Sequence, residues 1–188
     1  MKARNTAALR IGGIMLGISM ASVAMPYVAL AHGPTRQKVT ESVEINAPAA
    51  KVWALIGNFQ NMNWCDDVAK TTGTGGNEPN TANRVITLKS GATITQDLTR
   101  YDAKEMSYGY FTDKIDIKVL PVNDYSGEIQ VVPEGANKSK VTWEAAFYRG
   151  YMNNDPPPNL SDSASLKAVT KWVRTRLDGL KTKMEATH

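Results

Sequence analysis

The chain of 188 residues carries 22 Lys and Arg against 18 Asp and Glu, for a formal net charge of +4, with two histidines and one cysteine. That charge is too small to require a nucleic-acid partner, and a single cysteine rules out an intramolecular disulfide. The length suits one domain with one core once a leader is set aside.

Lys2, Arg4 and Arg10 form a positive start with no acidic residue, followed by an apolar run over 11–24 that is short for a membrane span. Pro26 breaks the run, and Ala29-Leu30-Ala31 supplies the small-x-small pattern that signal peptidase reads. The expectation is a signal peptide over 1–31, cut after Ala31, and a periplasmic mature chain starting at His32. The alternative is an uncleaved anchor; cleavage leaves none. The leader removes three of the basic residues, so the mature balance falls to +1. In an oxidising compartment the lone Cys65 is buried and inert, capped, or paired with another chain.

In chain order, 37–45 alternates apolar and polar residues as a half-buried strand does, with Val39, Val43 and Ile45 on one side. Asn46 is a good helix cap and Pro48 suits a first turn, so a short helix follows, with Val52, Leu55, Ile56 and Phe59 at helical spacing. Residues 61–70 read as irregular. Gly73-Thr74-Gly75-Gly76 reads as a hairpin turn, because no Lys-Ser/Thr follows as in a phosphate-binding loop. Strands are expected over 84–89 and 92–101, joined at Ser90-Gly91, and then over 105–112. Another runs over 118–132, with Val119, Tyr125, Ile129 and Val131 at one parity and a bend or bulge at Gly127. The last covers 140–151, with Val141, Trp143, Ala145, Phe147 and Tyr151 on one face.

After the stiff Asp155-Pro156-Pro157-Pro158 segment, Ser161 or Ser163 caps a helix over about 161–184. Leu166, Val169, Val173, Leu177, Leu180 and Met184 form its apolar stripe. Strands joined by short turns make an antiparallel meander, and the terminal helix is the one long apolar stripe able to cover it. The expected fold is α+β: a helix-grip in which a curved antiparallel sheet wraps a long C-terminal helix, with a cavity between them, in one domain over 32–188.

Residues 43–53, Val-Glu-Ile-Asn-Ala-Pro-Ala-Ala-Lys-Val-Trp, with Ile56-Gly57-Asn58-Phe59 and Trp64, resemble the START-like, or polyketide cyclase/dehydrase-like (SRPBCC), superfamily. Within it the His-Gly-Pro start of the mature chain, Asn61-Met62-Asn63-Trp64 and residues 118–122 are similar to the MxaD-like periplasmic proteins associated with methanol oxidation. Where many of those relatives carry Trp-His-Pro, this chain has Trp64-Cys65-Asp66, so a role hung on that histidine does not carry over. The resemblance implies a Bet v 1-like fold and a non-enzymatic accessory role, in which the protein helps a periplasmic dehydrogenase meet its cytochrome partner or mature. Two other readings stay open: a carrier of a small hydrophobic ligand such as a lipid, quinone or cofactor precursor, and, on fold analogy alone, a cyclase/dehydrase-like enzyme.

Both histidines, His32 and His188, stand at the edges of the mature chain, so no catalytic set and no cofactor is expected. His32 alone offers an amine and an imidazole, too little to constitute a metal site. Asp97 and Glu144 fall on the solvent side by parity. The candidate ligand pocket takes Trp64, Tyr108, Tyr110, Tyr125, Trp143 and Phe147 as its aromatic lining. Arg84, Gln96 and Arg100 share the cavity-side parity and are its polar contacts.

Overall fold

The computed structural model describes residues 33–186. The leader over 1–31, its cleavage site, His32 and His188 therefore lie outside the described residues. Seven strands form one antiparallel sheet in the order β1-β7-β6-β5-β4-β3-β2. They are β1 (Gln37–Ile45), β2 (Val68–Thr74), β3 (Asn83–Leu88), β4 (Thr93–Asp102), β5 (Ser107–Lys114), β6 (Val122–Pro133) and β7 (Ser139–Arg149). The first and last strands are thus neighbours, while the others follow one another as a meander. Helix α1 (Ala49–Ile56) leads from β1 towards β2, and α2 (Asp162–Glu185) ends the domain. The helix-grip is present as expected.

Strands β1, β3, β6 and β7 alternate largely as their sequences do, β4 does so as far as Leu98, and β5 is buried at every position from Ser107 to Tyr110. In β7 the buried positions are Ser139, Val141, Trp143, Ala145, Phe147 and Arg149, and in β3 they are Arg84, Ile86 and Leu88. Helix α2 runs chiefly along β1 and β7 and buries Val169, Val173, Leu177, Leu180 and Met184. Its N-cap is Ser161, whose hydroxyl accepts from Ala164 N at 3.3 Å. Leu166 leaves the expected stripe at 38 % exposed. Ser165 takes the inward position and donates to the Pro121 carbonyl at 2.6 Å, which ties the helix start to the turn before β6.

Four details differ from the expectation. Strand β2 lies in the segment read as irregular and turn; it is an edge strand with Val68 its one buried residue, so no apolar alternation marks it. Residues 118–120 are not strand. Asp116 closes a turn there, its carboxylate accepting from Lys118 N at 2.9 Å and its carbonyl from Val119 N at 2.8 Å. The β6 bulge falls between Asn123 and Ser126, where Asp124 has φ +47°, and not at Gly127. Gly127 instead lies under the Tyr110 ring: a Cβ there would sit 2.4 Å from the phenol oxygen. At α1 the capping position is Pro48 rather than Asn46.

Candidate functional site

On the concave face, strand register puts three polar side chains in one row. Arg84 of β3 pairs with Gln96 of β4, and Gln96 with Thr112 of β5. The row is hydrogen-bonded along its length: Arg84 Nε donates to Gln96 Oε1 at 2.8 Å, and Gln96 Nε2 donates to Thr112 Oγ1 at 3.1 Å. One further guanidinium nitrogen of Arg84 donates to the Phe59 carbonyl at 2.8 Å. The remaining one, Nη2, is buried without a hydrogen-bond partner. Arg84 is 0 % exposed, and none of the ion pairs among the described residues includes it. Its charge faces aromatic rings instead, 4.1 Å from the Phe59 centroid and 5.4 Å from that of Tyr110.

Trp64, Tyr108, Tyr110, Tyr125, Trp143 and Phe147 are all buried and form a connected interior. Tyr108, Tyr110, Tyr125 and Phe147 follow one another at ring separations of 6.2–6.3 Å. Trp64 lies 6.2 Å from Trp143, whose indole N–H donates to the Tyr110 hydroxyl at 3.1 Å. The hydroxyls of Tyr108 and Tyr125 and the Trp64 indole nitrogen have no hydrogen-bond partner. Tyr108 feels the Arg84 charge, but burial outweighs it and pushes its phenol up. Burial pushes Tyr110 well up and raises Tyr125 to about 12. Cys65 is buried, and its thiol is raised to about 12 by the same cause. Tyr151, at the end of the β7 face, is only half-buried.

Arg100 is a correction. A bulge on β4 between Leu98 and Arg100 reverses the parity, and the Arg100 side chain stands 56 % exposed on the outer face, paired with Glu128. Asp97 and Glu144 are exposed as expected.

Sequence reasoning missed two further buried cations, Arg176 and Arg149 of β7, the latter 5 % exposed and paired with Asp162. Arg176 of α2 is 6 % exposed, lies 3.2 Å from the Trp172 ring centroid and is paired with Asp67 at 2.5 Å. It sits beside Leu177 of the apolar stripe, and that flanking place was the available signal. Trp172, Arg176 and Met62 close the interior on the side away from β1 and β7, over Ile86, Ile94 and Gln96. The space left among them is about 10 Å³, roughly room for one water. Of the residues expected to line a pocket, Gln96, Tyr110 and Trp143 border this small space.

Residues 36–185 match the family model described as polyketide cyclase / dehydrase and lipid transport. No curated protein sequence matches the chain. Among solved structures, an uncharacterized protein from Bacillus thuringiensis is similar at 26 % identity and TM-score 0.67, over 79 % of this chain and 99 % of that one. The protein XoxI from Bacillus cereus is similar at 25 % identity and TM-score 0.66, over 80 % and 98 %. Norcoclaurine synthase from Thalictrum flavum, solved with dopamine and hydroxybenzaldehyde, shares the fold at 12 % identity and TM-score 0.61, over 83 % and 90 %.

Proposed function

The chain belongs to the polyketide cyclase / dehydrase and lipid transport family, and from that premise we propose a non-enzymatic periplasmic binding and accessory protein that assists methanol oxidation, where a dehydrogenase meets its cytochrome partner or matures. What supports binding over catalysis is the make-up of the interior, where the buried charged residues among those described are arginines, with no buried carboxylate or histidine. General acids and bases work best with pKa values near the ambient pH. Here burial holds Cys65 and Tyr125 at about 12 and Tyr110 well above its ordinary value, so near neutrality none of them exchanges a proton readily. The methanol-oxidation part rests on the resemblance carried by residues 61–64 and 118–122. Within those segments Asn63 and Lys118 are exposed and available to a partner.

The test uses protein taken from the host periplasm and the host's own methanol-oxidising dehydrogenase and cytochrome. The intact mass should begin at His32, and sedimentation at low salt should show a complex that changes the rate of electron transfer between the two enzymes. Lys118→Glu should weaken that complex without unfolding the domain. A cytoplasmic, uncut protein, or a mature one with no association and no effect on the rate, overturns the reading.

A second reading, a carrier of a small apolar ligand, is favoured by one observation: polar atoms of Arg84, Tyr108 and Tyr125 are buried without hydrogen-bond partners in an aromatic interior.

A further inference from the structure

Three guanidinium groups are buried, Arg84, Arg149 and Arg176; Asp162 pairs with Arg149, which leaves one further carboxylate for the other two. That carboxylate, Asp67, belongs to Arg176 and is 46 % exposed. A guanidinium keeps its charge in proteins, where a buried ammonium can give up its proton. Two of the Arg84 nitrogens reach neutral acceptors, the third reaches none, and ring faces supply the rest of its surroundings. A buried charge kept without a counter-ion is a standing cost to the fold. A residue of pure packing would serve the same place better.

We infer that the interior takes an organic acid, a monocarboxylate with an apolar tail or ring, whose carboxylate lies on the Arg84 guanidinium. The inference rests on the carrier reading, namely that the interior opens to a ligand. An anion supplies the missing partner for Nη2, and it accepts in the two-pronged manner that a guanidinium offers. Gln96, held by Thr112, fixes the guanidinium through Nε and leaves Nη2 for the ligand. The apolar body matches what lies about the row: Ile86, Ile94, Met62 and Trp143 around Gln96, and the Phe59 and Tyr110 rings against Arg84. Room comes from the side that side chains close. Helix α2 covers β1 and β7, whereas over β3 and β4 the seal is made by Met62, Trp172 and Arg176. Turning the Trp172 and Arg176 side chains outward would open the Gln96 end of the row.

The experiment compares decanoate with decanol, which differ only in the head group, by isothermal titration on the mature protein. The expected result is binding of decanoate about tenfold or more tighter than decanol, the scale of one hydrogen-bonded charge in a dry site. Arg84→Met should abolish the preference while decanol still binds, and Arg84→Lys should keep part of it. Without ligand, Arg84→Met should melt above the wild type, because it removes an unbalanced charge; a melting point well below it marks Arg84 as structural and overturns the inference. Equal affinity of the two probes in the wild type overturns the inference and leaves the carrier reading standing. Binding of neither probe ends both.

Discussion

Gly127 and Cys65 show how single positions carry the shape of the interior. Any side chain at Gly127 meets the Tyr110 ring, which is itself fixed by the Trp143 indole and by its stacked neighbours. Gly127→Ala should therefore destabilise by about 1–3 kcal/mol, the range for overfilling a packed core, and urea unfolding monitored by tryptophan fluorescence measures it. A midpoint equal to the wild type would mean that Tyr110 has room to move. Gly127 stood out in sequence as an interruption of β6, but a lone glycine in a strand does not say whether it marks a bulge or a close approach. The same limit applied to Arg100. Strict alternation placed it inside, and one bulged residue on β4 put it outside, because a slip of one position exchanges the faces of everything that follows. Arg84 and Gln96 lie before that slip, so parity read them correctly.

Among the elements, α2 and β2 mark the two extremes of legibility. The stripe of α2 recurs over more than five turns, and tertiary packing agrees with it from Val169 to Met184. Val173→Ala, at a position with no exposure, should cost about 2–3 kcal/mol in urea unfolding, the lost burial of two methyl groups plus the space they leave. Strand β2 has one buried side chain and gains its hydrogen bonds from β3 on one side only, so composition left nothing to find. The link between these two elements is the Arg176–Asp67 pair, since Asp67 directly precedes β2. Asp67→Asn removes the one carboxylate bonded to Arg176. The expected cost is about 1–3 kcal/mol, less than for a fully enclosed pair because water reaches Asp67. The informative readout is local: hydrogen exchange in the middle of α2 should speed up more than in β6 and β7. Uniform change across the sheet would show that the pair stabilises the fold generally and does not latch the helix.

At the scale of the whole molecule, the meander and the covering helix were legible because most strands alternate and α2 carries one long apolar stripe. The filling of the interior was not, because how rings pack into a curved sheet depends on curvature and on bulges that leave no mark in composition. That filling has a consequence for pH. Cys65 and the phenols of Tyr108, Tyr110 and Tyr125 all have folded pKa values raised by burial, those of Cys65 and Tyr125 to about 12. In the unfolded chain they return to about 8.5 for the thiol and 10 for the phenols. Above those values the unfolded state releases protons that the folded state retains, so stability falls as pH rises. The loss begins near pH 8.5 with Cys65 and steepens near pH 10 as the tyrosines join, each group adding about 1.4 kcal/mol per pH unit until its folded value is reached. Urea midpoints at pH 7, 9, 10 and 11 should follow that two-stage decline, with the native thiol silent to iodoacetamide throughout the first stage. Cys65→Ala should remove the first stage and leave the second. A wild-type midpoint that holds level from pH 8.5 to 10, or a Cys65→Ala protein that declines in step with it, would mean the thiol is reached by water in the folded state and the interior is less sealed than its packing implies.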